Sequence, residues 1–185
     1  MVNGGQNGKR LVKHQEKNYL LLKSNMHKVF LGLGSNMSNP LKQLKDAIFS
    51  INNIEKTSVQ KKSNVYESLP VGYLNQPNFF NQVISIETDL LPNELLQHFQ
   101  EIEKKQKRIK KIFNGPRTID IDILLFDDLC INEKELVIPH PRMLDRTFVM
   151  IPLLEIEPSI KIPKINNLKE FLGKLDIKTI NIIND

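Results

Sequence analysis

The chain has 185 residues and a mass of 21.4 kDa, enough for one domain that buries roughly 70% of its unfolded surface. One cysteine, Cys130, allows neither an internal disulfide nor a cysteine-rich metal site and points to a reducing compartment, and four histidines argue against a zinc cage. The formal charge of +5 suggests nucleic acid until it is located: Lys9, Arg10, Lys13, Lys17, Lys23 and Lys28 stand against Glu16 in the first 28 residues, and the remaining 20 basic and 20 acidic residues cancel.

The excess therefore belongs to a tail, residues 1–27, whose glycines, asparagines and lysines without a sustained period predict a disordered extension. Met26 lies two residues before the first apolar run, which raises the expectation that translation starts there; the intact mass of the native protein checks it. No apolar run approaches the roughly 20 residues of a membrane span, and residues 19–22 are too short for a signal-peptide core. The expectation is a cytoplasmic monomer with neither membrane nor nucleic acid as partner.

Residues 28–185 read as one domain without repeats. Residues 29–33 predict a buried strand that stops at Gly34-Ser35-Asn36. Pro40 after Asn39 opens a helix carrying Leu41, Leu44, Ile48 and Ile51 at helical spacing. Residues 57–66 predict a strand with a polar face, residues 69–77 a loop broken by Pro70, Gly72 and Pro77, and residues 79–88 another strand. After Pro92, the positions Leu95, Phe99, Ile102, Gln106 and Ile109 trace one face of a second helix, ended by Gly115-Pro116. Residues 119–126 alternate with period two, shorter strands follow, and a helix is expected near residues 168–175. This order predicts an α+β layer, helices over a mostly antiparallel sheet. Tyr66, Phe80 and Cys130 are read as packing.

The sharpest chemical feature is Asp120 and Asp122 inside an otherwise apolar strand. Their Cα atoms fall roughly 6.5 Å apart on one face. Two carboxylates about 5 Å apart repel by about 3 kcal/mol at an effective dielectric near 20, so a half-buried pair needs cations or protons. Magnesium suits such a pair, filling its other positions with water and phosphate oxygens; the competing reading is an ordinary exposed sheet face. Gly115-Pro116-Arg117-Thr118 delivers an arginine to the start of this strand, and four of five arginines, Arg108, Arg117, Arg142 and Arg146, fall within 39 residues of a lysine-rich chain. Forked donors for phosphate, or a coincidence of few counts, both explain that cluster.

The basic run 104–111 reads either as a solvated helix end or as cover for bound phosphates. Arg108 lies roughly 140° from the apolar stripe on an ideal wheel, so it reaches the aspartates only if the helix ends early and residues 107–116 form a lid. Gly32-Leu33-Gly34-Ser35-Asn36 is neither a P-loop nor a dinucleotide fingerprint. His140 in Ile-Pro-His-Pro-Arg is a phosphate donor or a turn residue, and Phe79 and Phe148 read first as core.

Taken together, four segments resemble the 6-hydroxymethyl-7,8-dihydropterin pyrophosphokinase family of folate biosynthesis: Gly-Leu-Gly-Ser-Asn at 32–36, Val-Gly-Tyr-Leu-Asn-Gln-Pro-Asn-Phe-Phe-Asn at 71–81, Gly-Pro-Arg-Thr-Ile-Asp-Ile-Asp-Ile-Leu at 115–124 and Ile-Pro-His-Pro-Arg-Met at 138–143. The resemblance implies a ferredoxin-like α+β fold and transfer of pyrophosphate from ATP to the pterin hydroxymethyl group. It implies that Asp120 and Asp122 hold two magnesium ions and that Arg108 and Arg117 stabilise charge on the transferred group. By the same resemblance Gln100, Glu103, Lys110, Ile123, His140 and Arg146 bind ATP, while Phe79, Asn81 and Phe148 bind the pterin, with backbone contacts from Ser68 and Val71. Where the family commonly has Arg-Trp before Gly-Pro-Arg-Thr, this chain has Phe113-Asn114, which predicts less complete closure of the lid. The competing readings are another metal-dependent nucleotidyl or glycosyl transferase, and a catalytically silent nucleotide- or RNA-binding domain.

Overall fold

The computed structural model describes residues 26–108 and 115–183. The N-terminal extension up to residue 25, Lys110, and Phe113-Asn114 lie outside them. Strand β1 (His27–Ser35) is followed by helix α1 (Pro40–Asn52), strands β2 (Thr57–Lys62), β3 (Val65–Ser68) and β4 (Phe79–Thr88), helix α2 (Pro92–Lys105) and strand β5 (Asp120–Phe126). A small hairpin, β6 (Ile131–Asn132) with β7 (Val137–Ile138), leads to helix α3 (Thr147–Ile156), helix α4 (Leu168–Leu172) and strand β8 (Ile180–Ile183). The main sheet runs β5-β1-β4-β3-β8, with β2 also paired to β4, and each of these pairings is antiparallel. This is the α+β layer that the order of elements predicts, in the ferredoxin-like form that the family resemblance implies.

Local chemistry explains the helix ends. Asn39 adopts a left-handed conformation, φ 64°, and its side chain accepts the Lys42 N–H, with Pro40 at the first turn of α1. Glu94 accepts the Leu91 N–H at the start of α2. That helix stops at Lys105, short of the predicted Ile109, because Lys107 turns left-handed at φ 58°. The early stop is the condition under which Arg108 could reach the aspartates.

The two faces of the sheet have different partners. Val29, Leu31, Leu33, Ile84, Ile86, Ile121 and Ile123 bury against Leu44, Ala47 and Ile51 of α1 and Leu95, Phe99 and Ile102 of α2. On the other face Phe30, Val83 and Leu124 pack with Val149, Met150, Leu153 and Ile156 of α3. Burying one such aliphatic side chain stabilises the fold by about 1.5–3 kcal/mol.

Three expectations need correction. The strand over 57–66 is two strands, because buried Ser63 breaks the run: its N–H donates to the Val83 carbonyl at 2.9 Å and its hydroxyl accepts the Val83 N–H at 3.0 Å. Cys130 is exposed rather than packed, since it lies in the turn between β5 and β6. The C-terminal tail does more than pack a helix: β8 pairs with β3 and extends the sheet. Among the described residues no helix is long and apolar enough to cross a membrane.

Candidate active site

The α3 face of the sheet carries a cleft whose floor is made by what β1 lacks. Gly34 lies in register between Asp120 on β5 and Asn81 on β4, and Gly32 lies between Asp122 and Val83. A side chain at Gly34 would project between Asp120 and Asn81, and one at Gly32 would meet the Leu124 side chain. A Cβ added at Gly34 would come within 3.3 Å of Asn81 Oδ1. The glycines of the Gly-Leu-Gly segment thus leave the floor of the cleft without side chains.

On the β5 side the site is built from charge. Asp120 accepts from Arg117 and pairs with Arg108, and Arg108 also pairs with Glu103. The other oxygen of Glu103 accepts the Ile121 N–H at 2.9 Å, on the outer edge of β5, where no strand pairs among the described residues. Burial pushes Glu103 above the usual carboxylate range despite the Arg108 charge beside it. For Arg108 burial acts first to lower basicity, but Asp120 and Glu103 reverse that and leave the guanidinium raised.

Asp122 faces Arg146 at 3.6 Å and His140 Nε2 at 3.8 Å, and its side chain keeps 37% of its surface open to the cleft. Its carboxyl is pushed up to about 6, by burial first and then by Asp120, against the opposing pull of Arg146 and Arg108. His140 is held on the edge of β5 by donating its backbone N–H to the Leu124 carbonyl at 2.9 Å. The Arg142 N–H donates to His140 Nδ1 at 3.2 Å, which leaves the ring proton on Nε2, toward Asp122. Burial, then Arg146 and Arg142, lowers the imidazole to about 4, so it is a neutral donor at physiological pH. Burial and the neighbouring Arg142 likewise lower Arg146.

The β4 side is neutral. Asn81, buried, donates from Nδ2 to Ser68 Oγ at 2.9 Å and to the Tyr66 carbonyl at 3.3 Å, leaving Oδ1 against the Gly34 floor. Phe79 and Phe148 line the cleft, 5.4 Å from the Arg117 and 5.7 Å from the Arg146 guanidinium respectively, and Phe148 also packs against the α3-side core. Val71, 65% exposed, forms part of the rim with Leu69.

The cleft therefore gathers Ser68, Val71, Phe79, Asn81, Arg117, Asp120, Asp122, Arg146 and Phe148 along one lining, with Arg108 and His140 at its β5 edge. It does not gather all the predicted residues. Gln100 is exposed on α2, Glu103 is committed to Arg108 and the β5 backbone, and the Ile123 side chain lies in the core on the opposite face, so a ligand could meet Ile123 only through its backbone. Arg142 also lines the cleft. Gly32 and Gly34 form its floor, a role visible in sequence only once the strand register places glycines opposite both aspartates.

Known proteins resemble this chain in sequence and in fold. A curated 2-amino-4-hydroxy-6-hydroxymethyldihydropteridine pyrophosphokinase from Aquifex aeolicus is 44% identical over 154 residues, 83% of this chain and 95% of that protein. The enzyme of the same name from Bacillus subtilis is 42% identical over 127 residues, 69% of this chain and 76% of that protein. The folic acid synthesis protein fol1 of Pneumocystis carinii is 44% identical over 135 residues, 73% of this chain but only 18% of that longer protein. Among solved structures, Plasmodium falciparum HPPK-DHPS with pterin and p-hydroxybenzoate superposes with a TM-score of 0.68 at 16% identity, over 86% of this chain and 45% of that one, a likeness of fold. The sequence model of the 7,8-dihydro-6-hydroxymethylpterin-pyrophosphokinase family matches residues 30–158, and with the glycine-floored cleft and its paired aspartates this places the chain in that family.

Proposed function

We propose that this protein transfers the pyrophosphoryl group of ATP to the hydroxymethyl oxygen of 6-hydroxymethyl-7,8-dihydropterin and releases AMP, a step of folate biosynthesis. The observation that carries the reading is the cross-strand row Asp120, Gly34, Asn81. It sets a carboxylate suited to metal and phosphate chemistry and an amide suited to a ring edge on either side of a floor without side chains. The relatives from Aquifex and Bacillus, named for this activity, support it.

Asp120 and Asp122 are the residues that would hold magnesium, as two ions. Among the described residues no group of three or more His, Cys, Asp or Glu side chains forms a metal cage. Two carboxylates on an open cleft fit a cation that completes its shell with water and substrate phosphate oxygens. When bound, magnesium would neutralise the triphosphate and hold it for in-line displacement.

The chain's own residues supply position and charge. Arg108 and Arg117 rest on Asp120 in the free protein; the triphosphate offers them oxygens instead, in a geometry suited to forked donors. The hydroxymethyl oxygen attacks the β-phosphorus as the bond to AMP breaks, and these guanidiniums stabilise the charge on the transferred group. His140 donates Nε2–H and Arg146 its fork to the nucleotide, and the Ile123 backbone adds a contact; Gln100, Glu103 and Lys110 enter this reading through the family resemblance alone. Phe79 and Phe148 hold the flat pterin, Asn81 Oδ1 accepts from its edge, and Ser68 and Val71 add backbone contacts. On this proposal the enzyme is a monomer in the cytoplasm.

AMP release from ATP and magnesium, with and without 6-hydroxymethyl-7,8-dihydropterin, tests the reading. Pterin-dependent AMP that vanishes in Asp122→Ala is the expected result. AMP that is independent of the pterin, or absent from folded wild-type protein, would sink it.

A further inference from the structure

One side chain joins the two halves of the cleft without lining it. Asn36, directly after β1, is only 3% exposed. Its N–H donates to the Arg117 carbonyl at 3.1 Å, and its Oδ1 accepts the Arg117 N–H at 2.8 Å. Its Nδ2 donates to the Pro77 carbonyl and to Gln76 Oε1, both at 3.0 Å. The amide has one possible orientation, because a backbone N–H needs the oxygen end and a carbonyl needs the nitrogen end. Gln76 carries the connection onward, donating from Nε2 to the Tyr73 carbonyl at 2.6 Å.

The loop fastened in this way, residues 69–77, holds the exposed Leu69, Val71 and Leu74 and turns left-handed at Gly72, φ 86°. Arg117, at the other end of the amide, packs its guanidinium against Phe79 and bonds to Asp120. We propose that Asn36 is a positioning residue that fixes the pterin-side loop relative to Arg117, so that one buried amide sets the register between the acceptor's hydroxymethyl group and the donor's phosphates. This rests on the function proposed above. An amide is required because its two ends do different work: an aspartate keeps the acceptor for Arg117 and loses both donors to the loop, and an alanine loses both ends.

The test separates the ends. Asn36→Asp and Gln76→Ala are expected to raise the KM for 6-hydroxymethyl-7,8-dihydropterin about fivefold or more with kcat changed less than about threefold. Asn36→Ala is expected to add a fall in kcat of about tenfold or more. Amide hydrogen exchange on the ligand-free proteins provides a readout independent of activity. Residues 71–76 should exchange about fivefold faster or more in Asn36→Asp and Gln76→Ala, with β4 unchanged. Because Gln76 lies in the loop, its variant keeps the test alive if a buried aspartate at position 36 fails to fold. Unchanged exchange in the loop overturns the proposal, as does a parallel shift of KM and kcat in all three variants. Wild-type protein without pterin-dependent AMP release defeats the functional reading alone, and the exchange data then decide the role of Asn36.

Discussion

The two sides of the cleft are held together by different forces. On the β5 side Glu103, Arg108, Asp120 and Arg117 form a chain of alternating charge, and next to it Asp122 faces Arg146 and neutral His140. On the β4 side the hydrogen bonds are neutral: Asn81 bonds to Ser68 and Tyr66, and Asn36 bonds separately to Gln76 and Pro77 of an exposed apolar loop. The charged side is prearranged, but its donors and acceptors satisfy one another, and a ligand must replace those partners. The neutral side keeps an acceptor and two rings free for a ligand to complete. Removing one group from the first should therefore damage turnover, and removing one from the second should mainly weaken binding of the acceptor.

The largest expected effect tests the charged side. Asp122→Ala should lower AMP release about a thousandfold or more, because it removes a proposed metal ligand; steady-state turnover at saturating magnesium measures it. Arg117→Ala follows, with kcat down about a hundredfold, and Arg117→Lys should recover only part of that, since a point charge does not replace the fork. A loss confined to KM would put Arg117 in ground-state binding and blur the contrast between the sides.

Asn81→Leu should raise the pterin KM about tenfold to a hundredfold, the cost of an unmatched polar edge, with kcat much less affected. Gly34→Ala should produce a smaller rise, because the new Cβ meets Asn81 Oδ1 at 3.3 Å and Ser68 and Tyr66 hold that amide in place. Competition binding of a pterin analogue reads both.

The smallest effect concerns stability. Asp122 is raised to about 6 from the ordinary aspartate value near 3.8, so between those values the folded protein binds more protons than the unfolded chain. Its charge therefore weakens the ligand-free fold above pH 6, and that burden lifts as the pH falls toward 4. His140, lowered to about 4, works in the opposite direction over the same range. Comparing wild type with Asp122→Asn cancels the histidine. The variant should melt about 2–4 °C higher at pH 7.5, with the gain shrinking at pH 5. Calorimetry of the metal-free proteins checks it, and an equal gain at both values would mean that charge is not the cause.

Much of this arrangement could be read in the sequence because local rules agree with tertiary ones. Period-two alternation marked β5 and put both aspartates on one face, and helical spacing after Pro40 and Pro92 marked α1 and α2. Other features had no local signature. The split at Ser63 depends on its exchange of hydrogen bonds with Val83, and β8 depends on β3 offering it an edge. The glycine floor depends on register, which places Gly32 and Gly34 between strands that are far away in the chain.

By itself the sequence determined the class of fold, the pairing of carboxylates with arginines, and the likeness to a pyrophosphokinase family, because composition, periodicity and short motifs are properties of neighbours along the chain. Only the tertiary structure decided what each polar group faces. It turned Ile123 into the core and gave Glu103 to Arg108 and a strand edge. It also brought Asn36 between Arg117 and Pro77. Those outcomes follow from antiparallel register and the early end of α2, where burial and competing hydrogen bonds over long separations select one partner among many.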